Sequence, residues 1–159
     1  MRGSAFADIE LVCADDNHDN LVLKCLDRFG RSLFFQEARA LAKVRGIEGL
    51  QQVEAVMVEG RRYTIVSRYA GDTLSKCVKE EFLSCDQLED VLHQLGAALE
   101  RMHEAGVTHR DLHLSNVCVL FEEQVRAEII DFGYARSEAE SKFEENKRYD
   151  RDCLFFLGA

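Results

Sequence analysis

Proline is missing from all 159 residues, so no motif built around a proline can occur in this chain. Long apolar runs are missing too. None approaches the roughly 18 residues that a membrane-crossing helix needs, and no secretory leader pattern opens the sequence. Positive charge is short: 20 Lys and Arg stand against 29 Asp and Glu, a formal net charge of -9. That balance argues against a general nucleic-acid binder and against a basic membrane-binding patch. It leaves an anionic small ligand open, because local donors and metal ions outweigh net charge at a site. Paired cysteine motifs are the last absence. Cys13, Cys25, Cys77, Cys85, Cys118 and Cys153 include no C-x-x-C, and most sit among apolar residues. They read as buried free thiols of a reducing compartment rather than as a disulfide or zinc framework.

What is present starts with apolar content. At 47% hydrophobic the chain can bury a core, and its length suits one domain or one small two-lobed unit. "IELVC" (9 to 13) alternates apolar and polar residues, and "LVLKCL" (21 to 26) follows the turn-rich "ADDNHDN". Together they predict a hairpin. "SLFFQEARALAKVRG" (32 to 46) predicts a helix closed by Gly46, with Phe34, Ala38 and Leu41 on one stripe. "VEAVMV" and "RYTIVSRY" flank "EGR" as a second hairpin. The order over residues 1 to 69 is therefore strand, strand, helix, strand, strand.

From about residue 84 the period changes. Leu88, Val91, Leu92, Leu95, Leu99 and Met102 form an amphipathic stripe. Ser84 and Gln87 have capping-box spacing, and Gly106 is a natural stop. Two short strands follow, "VCVLF" and "VRAEII", separated by a turn at "EEQ". If they pair, the loops they carry bring Asp111, Asn116 and Asp131 close together. "SEAESKFEENKRYDRD" (137 to 152) is a mixed-charge stretch and reads as a solvated loop or a frayed helix. His18 reads as loop-exposed. His93 and His103 lie on the long helix and read as structural or solvated.

The polar residues at fixed separations carry a resemblance. "HRDLHLSN" (109 to 116) and "IDFG" (130 to 133) resemble the catalytic and metal-binding loops of the protein-kinase superfamily, H-R-D-x-x-x-x-N and D-F-G. The upstream order is similar as well. "VLK" (22 to 24) resembles the strand with the nucleotide-binding lysine. Glu37 is placed like its ion-pair partner, and "TIVSRYAGDTL" resembles the hinge between lobes. The resemblance implies an α+β, two-lobed, protein-kinase-like fold over residues 1 to 159. Its small antiparallel-sheet lobe with one helix would span 1 to 69, and a minimal, truncated helical large lobe 70 to 159. It implies ATP and Mg²⁺ as cofactors and an intracellular location, cytoplasmic or nuclear.

Roles follow from that resemblance. Asp111 would accept the proton of an incoming hydroxyl, while Asn116 and Asp131 offer hard oxygen ligands to Mg²⁺. Lys24 would hold the α and β phosphates, with Glu37 holding Lys24. Ile9, Val22 and Cys118 would surround the adenine. Ser67 would stand at the gatekeeper position, with backbone groups of Arg68 and Ala70 at the purine edge. His109, Phe132 and Leu41 would belong to the hydrophobic column between lobes. Ser4 would be the small residue that gives phosphates access to the loop backbone.

Departures from the pattern are informative. In "RGSAFADI" the glycine-rich loop has Arg2, Ser4 and Ala7 where glycines would stand. His113 replaces the lysine usual in serine/threonine kinases, as in small-molecule phosphotransferases. The A-P-E motif is excluded by the absence of proline. Eighteen residues separate Gly133 from Asp152, where "DRDCLFFLGA" resembles the start of the next core helix. That short segment resembles the compact atypical kinases: the Rio kinases, the kinase of the tRNA-threonylcarbamoylation complex and the lipopolysaccharide-core kinases. The expected activity is transfer of the γ-phosphate of Mg-ATP to a protein serine or threonine. The rivals are a small-molecule phosphotransferase and a pseudokinase acting as a nucleotide-binding interaction module. A partner or second copy is expected to cover Leu154, Phe155, Phe156 and Leu157.

Overall fold

Alternating strands and one striped helix build the first lobe. The structure, a computed structural model, describes residues 7–13, 20–139 and 142–157, with the backbone alone at Cys13. Strand β1 (Ala7–Cys13) runs antiparallel to β2 (Asn20–Leu26), Ala7 opposite Leu26. β3 (Val53–Glu59) and β4 (Arg62–Arg68) form the second hairpin, and β4 also pairs with β2. The sheet order is therefore β1-β2-β4-β3. β4 is central, and Tyr63 through Ser67 are buried on both faces, while β1 and β3 are exposed edges.

Helix α1 (Arg31–Lys43) covers one face of that sheet. Asp27 starts it by accepting from the Phe29 and Gly30 amides in a preceding 3₁₀ turn. Phe34, Glu37, Ala40, Leu41 and Val44 face inward at helical spacing. The Phe34 ring lies 5.2 Å from Tyr63 of β4. The helix ends at Lys43, three residues before Gly46, with Val44 as its C-cap, and Gly46 adopts φ 78° in the turn beyond.

The second lobe hangs on α3 (Cys85–Glu104), whose capping box is complete: Ser84 Oγ accepts from the Gln87 amide, and Gln87 Oε1 accepts from the Ser84 amide. Val91, Leu95, Ala98, Leu99 and Met102 are fully buried, and they pack on β8. β7 (Val117–Phe121) and β8 (Val125–Ile129) pair as the sequence predicts. Short β5 (Asp72–Thr73) joins β7, and short β6 (Val107–Thr108) joins β9 (Arg136–Ser137). A six-residue helix α2 (Leu74–Lys79), capped by Thr73, has no counterpart in the sequence reading. It is too short to show a period.

The mixed-charge stretch also departs from expectation. Residues 143 onward form α4 (Phe143–Leu157), a true helix. Its inward side has one fully buried residue, Asp150, followed by the partly buried Cys153, Leu154 and Leu157. An apolar count passes over such a helix, because its first anchor is a carboxylate. Two of the four residues expected to need cover, Leu154 and Leu157, thus lean on the chain's own core. Phe155 and Phe156 are each 74% exposed. No helix among the described residues is long and apolar enough to cross a membrane. Cys25, Cys77 and Cys118 are buried free thiols, and burial pushes Cys118 up to about 12. Cys85 departs from that reading, since it is exposed in the first turn of α3.

The lobes are stitched by backbone. The segment between α1 and β3 crosses over, with the Ile129 amide donating to Gly49 O and the Gln51 amide to Ile129 O, both 2.9 Å. The chain returns at Gly71, φ 95°, where an added Cβ would stand 2.0 Å from the Val119 carbonyl oxygen. Only glycine meets both demands there. Gly71→Ala should therefore lower stability by more than ~2 kcal/mol. Thermal melting checks this, and an unchanged midpoint would mean that β5 and β7 separate without cost.

Candidate active site

Strand, helix and loop each deliver one charge to the same point. Alternation on β2 turns Lys24 toward α1, where Glu37 is the one acidic residue of the buried stripe. Lys24 Nζ donates to Glu37 Oε1 at 3.0 Å and to Asp131 Oδ1 at 2.7 Å. Glu37 Oε2 is also 2.8 Å from the ammonium, but too poorly aligned to accept from it. Burial works against the Lys24 ammonium, yet Glu37 and Asp131 outweigh it and hold its pKa above the ordinary lysine value. Burial dominates at Glu37 and raises its pKa, with Lys24 opposing. Burial also works against the Asp131 carboxylate, but the Lys24 charge and the Gly133 amide lower its pKa overall.

Asp131 stands after β8 in the left-handed region, φ 63° and ψ 78°, a conformation that costs a non-glycine residue on the order of 1–3 kcal/mol. Several contacts hold it there. Its Oδ1 accepts from Gly133 N at 3.2 Å, and its own amide donates to Gln51 Oε1 at 3.0 Å. Gln36 on α1 donates to Gly133 O at 2.6 Å, fastening the same turn to the helix.

Asp111 and Asn116 form a second group beside it. Asn116 Nδ2 donates to Asp111 O at 2.9 Å and to Asp111 Oδ2 at 3.1 Å. With that amide so oriented, Asn116 Oδ1 is the side-chain atom that could ligate a cation. The Asn116 carbonyl accepts from Ile130 N at 2.9 Å, which sets Asn116 next to the Asp131 loop. His113 Nδ1 accepts from the Ser115 amide, and its Nε2 lies 3.7 Å from Asp111 Oδ2.

The donor set suits Mg²⁺. Asp131 supplies a carboxylate oxygen beyond the one Lys24 engages, and Asn116 a neutral oxygen. Two carboxylates, Glu37 and Asp131, share the Lys24 ammonium, and Asp111 beside Asn116 adds a third acidic group. No cluster of three or more His, Cys, Asp or Glu side chains among the described residues could hold a metal. A cation here would thus keep water or phosphate oxygens in its shell, as Mg²⁺ does.

The loop with Asp111 is held from an unexpected direction. Asp150 of α4, wholly buried, accepts from the His109 amide at 2.8 Å and the Arg110 amide at 2.7 Å, and its Oδ2 lies 3.0 Å from His103 Nε2. Sequence reasoning looked to Asp152 for the start of that helix, but Asp150 is the residue turned inward. The spacing of His103 ahead of "HRD" was the available signal, since a buried histidine needs a partner. His109 stacks edge-on against Phe132 at 5.2 Å, donates from Nε2 to Ile130 O and accepts from the Asp111 amide. The second contact requires a neutral ring, and burial lowers its pKa. Leu41 is buried in the same core as Phe132.

The residues expected around a purine are placed less uniformly. Val22 lies opposite Ser67, and Ile9 opposite Lys24, so all four share the sheet face that carries Lys24. Ile9 is nevertheless 51% exposed. Cys118 and Ala70 are buried near the crossing. The Arg68 amide already donates to Gln52 O, and its side chain pairs with Glu54, which takes that amide out of consideration as a ligand donor. Ser67 is buried, and its hydroxyl accepts from Gln51 Nε2. Ser4 lies outside the described residues, as do most of the loop expected over the phosphates and His18.

Residues 3–151 match the family described as Protein kinase domain. Mitogen-activated protein kinase 12 of Rattus norvegicus is 33% identical over 107 residues, 64% of this chain and 29% of that protein. A probable serine/threonine-protein kinase of Clostridium acetobutylicum is 31% identical over 110 residues, 68% of this chain and 16% of that protein. Human ribosomal protein S6 kinase alpha-1 is 39% identical over 70 residues, 42% of this chain and 9% of that protein. The chain thus spans less than a third of the length of each of these relatives.

Two outcomes are expected from this geometry. Asp150→Asn leaves at least one backbone amide facing a donor, so it should destabilise the fold by about 1–3 kcal/mol. Hydrogen exchange at the His109 and Arg110 amides should speed up; unchanged protection there would show that α4 does not hold the loop. The second outcome concerns pH. The unfolded His109 ring takes up a proton below about pH 6.5, whereas the folded ring has its pKa depressed. Stability is therefore lost as pH falls through that window, with a slope of at most ~1.4 kcal/mol per pH unit. His109→Tyr should flatten the profile between about pH 6.5 and 5. Parallel profiles would show that the folded ring protonates freely.

Proposed function

The chain belongs to the protein kinase domain family, and from that premise we propose that it transfers the γ-phosphate of Mg-ATP to a serine or threonine hydroxyl of a protein. The observation that carries this reading is the single ammonium of Lys24 shared by Glu37 and Asp131, beside the linked pair Asp111 and Asn116. Those five polar side chains come from four separate stretches of chain and have no joint packing role that would explain them. The serine/threonine assignment draws on the names of the relatives above.

In this reading the protein contributes position and charge. Lys24 Nζ holds phosphate oxygens of the nucleotide, and Glu37 keeps that ammonium from swinging toward solvent. Asp131 and Asn116 hold Mg²⁺, which neutralises phosphate charge when bound. Asp111 orients the acceptor hydroxyl and takes its proton, while the Asn116 amide fixes the Asp111 carboxylate. A small hydroxyl compound is the second acceptor to consider, because His113 stands 3.7 Å from Asp111 where a lysine is usual in protein kinases. We assign Ile9, Val22, Cys118 and the backbone around Ala70 to the adenine. Phe155 and Phe156 are proposed to meet a partner or a second copy.

The test uses purified protein, Mg²⁺ and labelled ATP, with generic protein acceptors in one arm and small hydroxyl metabolites in another. Asp111→Asn should reduce transfer by about 10²- to 10⁴-fold. It should still bind Mg-ATP, seen as a thermal shift of several degrees that depends on the metal. Transfer at the parent rate would remove Asp111 from the mechanism. No shift with Mg-ATP in the parent protein would sink the nucleotide reading as a whole.

A further inference from the structure

We infer that Gln51 is a positioning residue, whose side-chain amide bridges Ser67 of β4 to the backbone of Asp131 and so sets the aim of the metal-facing carboxylate. The inference rests on the reading that Asp131 holds Mg²⁺. No periodicity marks Gln51. It lies in the crossing segment just before β3, half-buried between the lobes. Both ends of its amide are engaged. Oε1 accepts from Asp131 N at 3.0 Å, and Nε2 donates to Ser67 Oγ at 2.8 Å. The orientation is dictated by chemistry: a backbone amide can only donate, so oxygen must face Asp131, and the amino group then faces the hydroxyl. Its own backbone amide is pinned to Ile129 O, two residues before Asp131. The bridge is therefore short and anchored at both ends.

Asp131 needs such an anchor. Its left-handed backbone is sparsely populated without glycine, and its amide lies outside β8 and donates to the Gln51 side chain. Without Gln51 that amide is an orphan inside the lobe junction. Rotating the peptide to find water would carry the carboxylate off the Lys24 ammonium and the Gly133 amide. Ser67 matters as the far abutment: it is 2% exposed on the central strand of the sheet lobe, so the bridge ties the sheet directly to the metal-binding loop. A core-packing role alone would be met by leucine, which has similar volume and no polar end.

Two measurements test this on the whole chain. Hydrogen exchange of the ligand-free protein reads the Asp131 amide itself. Gln51→Leu should speed its exchange by about tenfold or more, with Arg110, held by Asp150, unchanged. Nucleotide binding reads the aim of the carboxylate. In Gln51→Leu the Mg²⁺ concentration needed for half-maximal tightening of ATP binding should rise about 10-fold, as is common when the partner of a metal ligand is lost. ATP binding in chelator should stay within about twofold of the parent, since that step does not use the aimed carboxylate. Ser67→Ala, which keeps the Asp131 contact and loses only the abutment, should give a smaller change of the same kind. The double variant should be no worse than Gln51→Leu alone. Equal weakening with and without metal, or no change in Asp131 exchange, would overturn the inference. If Gln51→Leu does not fold, Ser67→Ala alone decides it by the same two readouts. A parent protein that binds no Mg-ATP would remove the function proposed above, while the exchange measurement would still decide whether Gln51 holds the loop.

Discussion

One ammonium holds three separate pieces of chain in register. Lys24 comes from a strand, Glu37 from the helix that covers it, and Asp131 from a loop 107 residues away. A buried pair of this kind is poor evidence for stability, because desolvation offsets much of the Coulomb attraction. Its value is specificity. An acidic residue on the buried stripe of α1 tolerates one rotation of the helix, the one that brings Glu37 to Lys24. That rotation in turn puts Gln36 within reach of the Gly133 carbonyl. The orientation of α1, the turn after Asp131 and the face of β2 are thus three readings of the same contact.

The arrangement is also unbalanced by design of its charges. One cation serves two carboxylates, and Asp111 adds a third nearby. In a protein that is already strongly acidic, such a surplus persists only where something supplies the missing positive charge. A divalent cation would do so. The site residues and the rest of the surface therefore point the same way. The chain as a whole is acidic, and the binding of an anion together with its metal at this junction remains the proposal made above.

Much of this was legible in the residues. Lys24, Glu37, Asp111, Asn116 and Asp131 stand at separations that a motif can record, and α3 announces itself by stripe and capping box. The strands of both hairpins fall within a residue or two of where alternation puts them. The features that no motif or period marks share a physical cause. Gln51 and Asp150 accept from backbone amides, and a backbone amide leaves no trace in the sequence. Asp150 also lies in a charge-rich stretch whose helix has no apolar start. α2 is shorter than two turns, below the length at which a period can be seen. Ile9 illustrates the converse: its strand was foreseen, but its half-open position depends on which neighbours lie over the edge of the sheet.

The tie between Asp150 and the loop at His109 and Arg110 has a consequence during synthesis. The anchor lies 40 and 41 residues downstream of the amides it holds. At roughly 5–20 residues per second, a nascent chain waits on the order of 2–8 s between emergence of the loop and emergence of its anchor. Through that interval the sheet lobe, α3 and the β7–β8 hairpin can all assemble, while the His109 and Arg110 amides lack their carboxylate partner. The last tie on that loop is thereby made late, by a residue that emerges after every other side chain of the site.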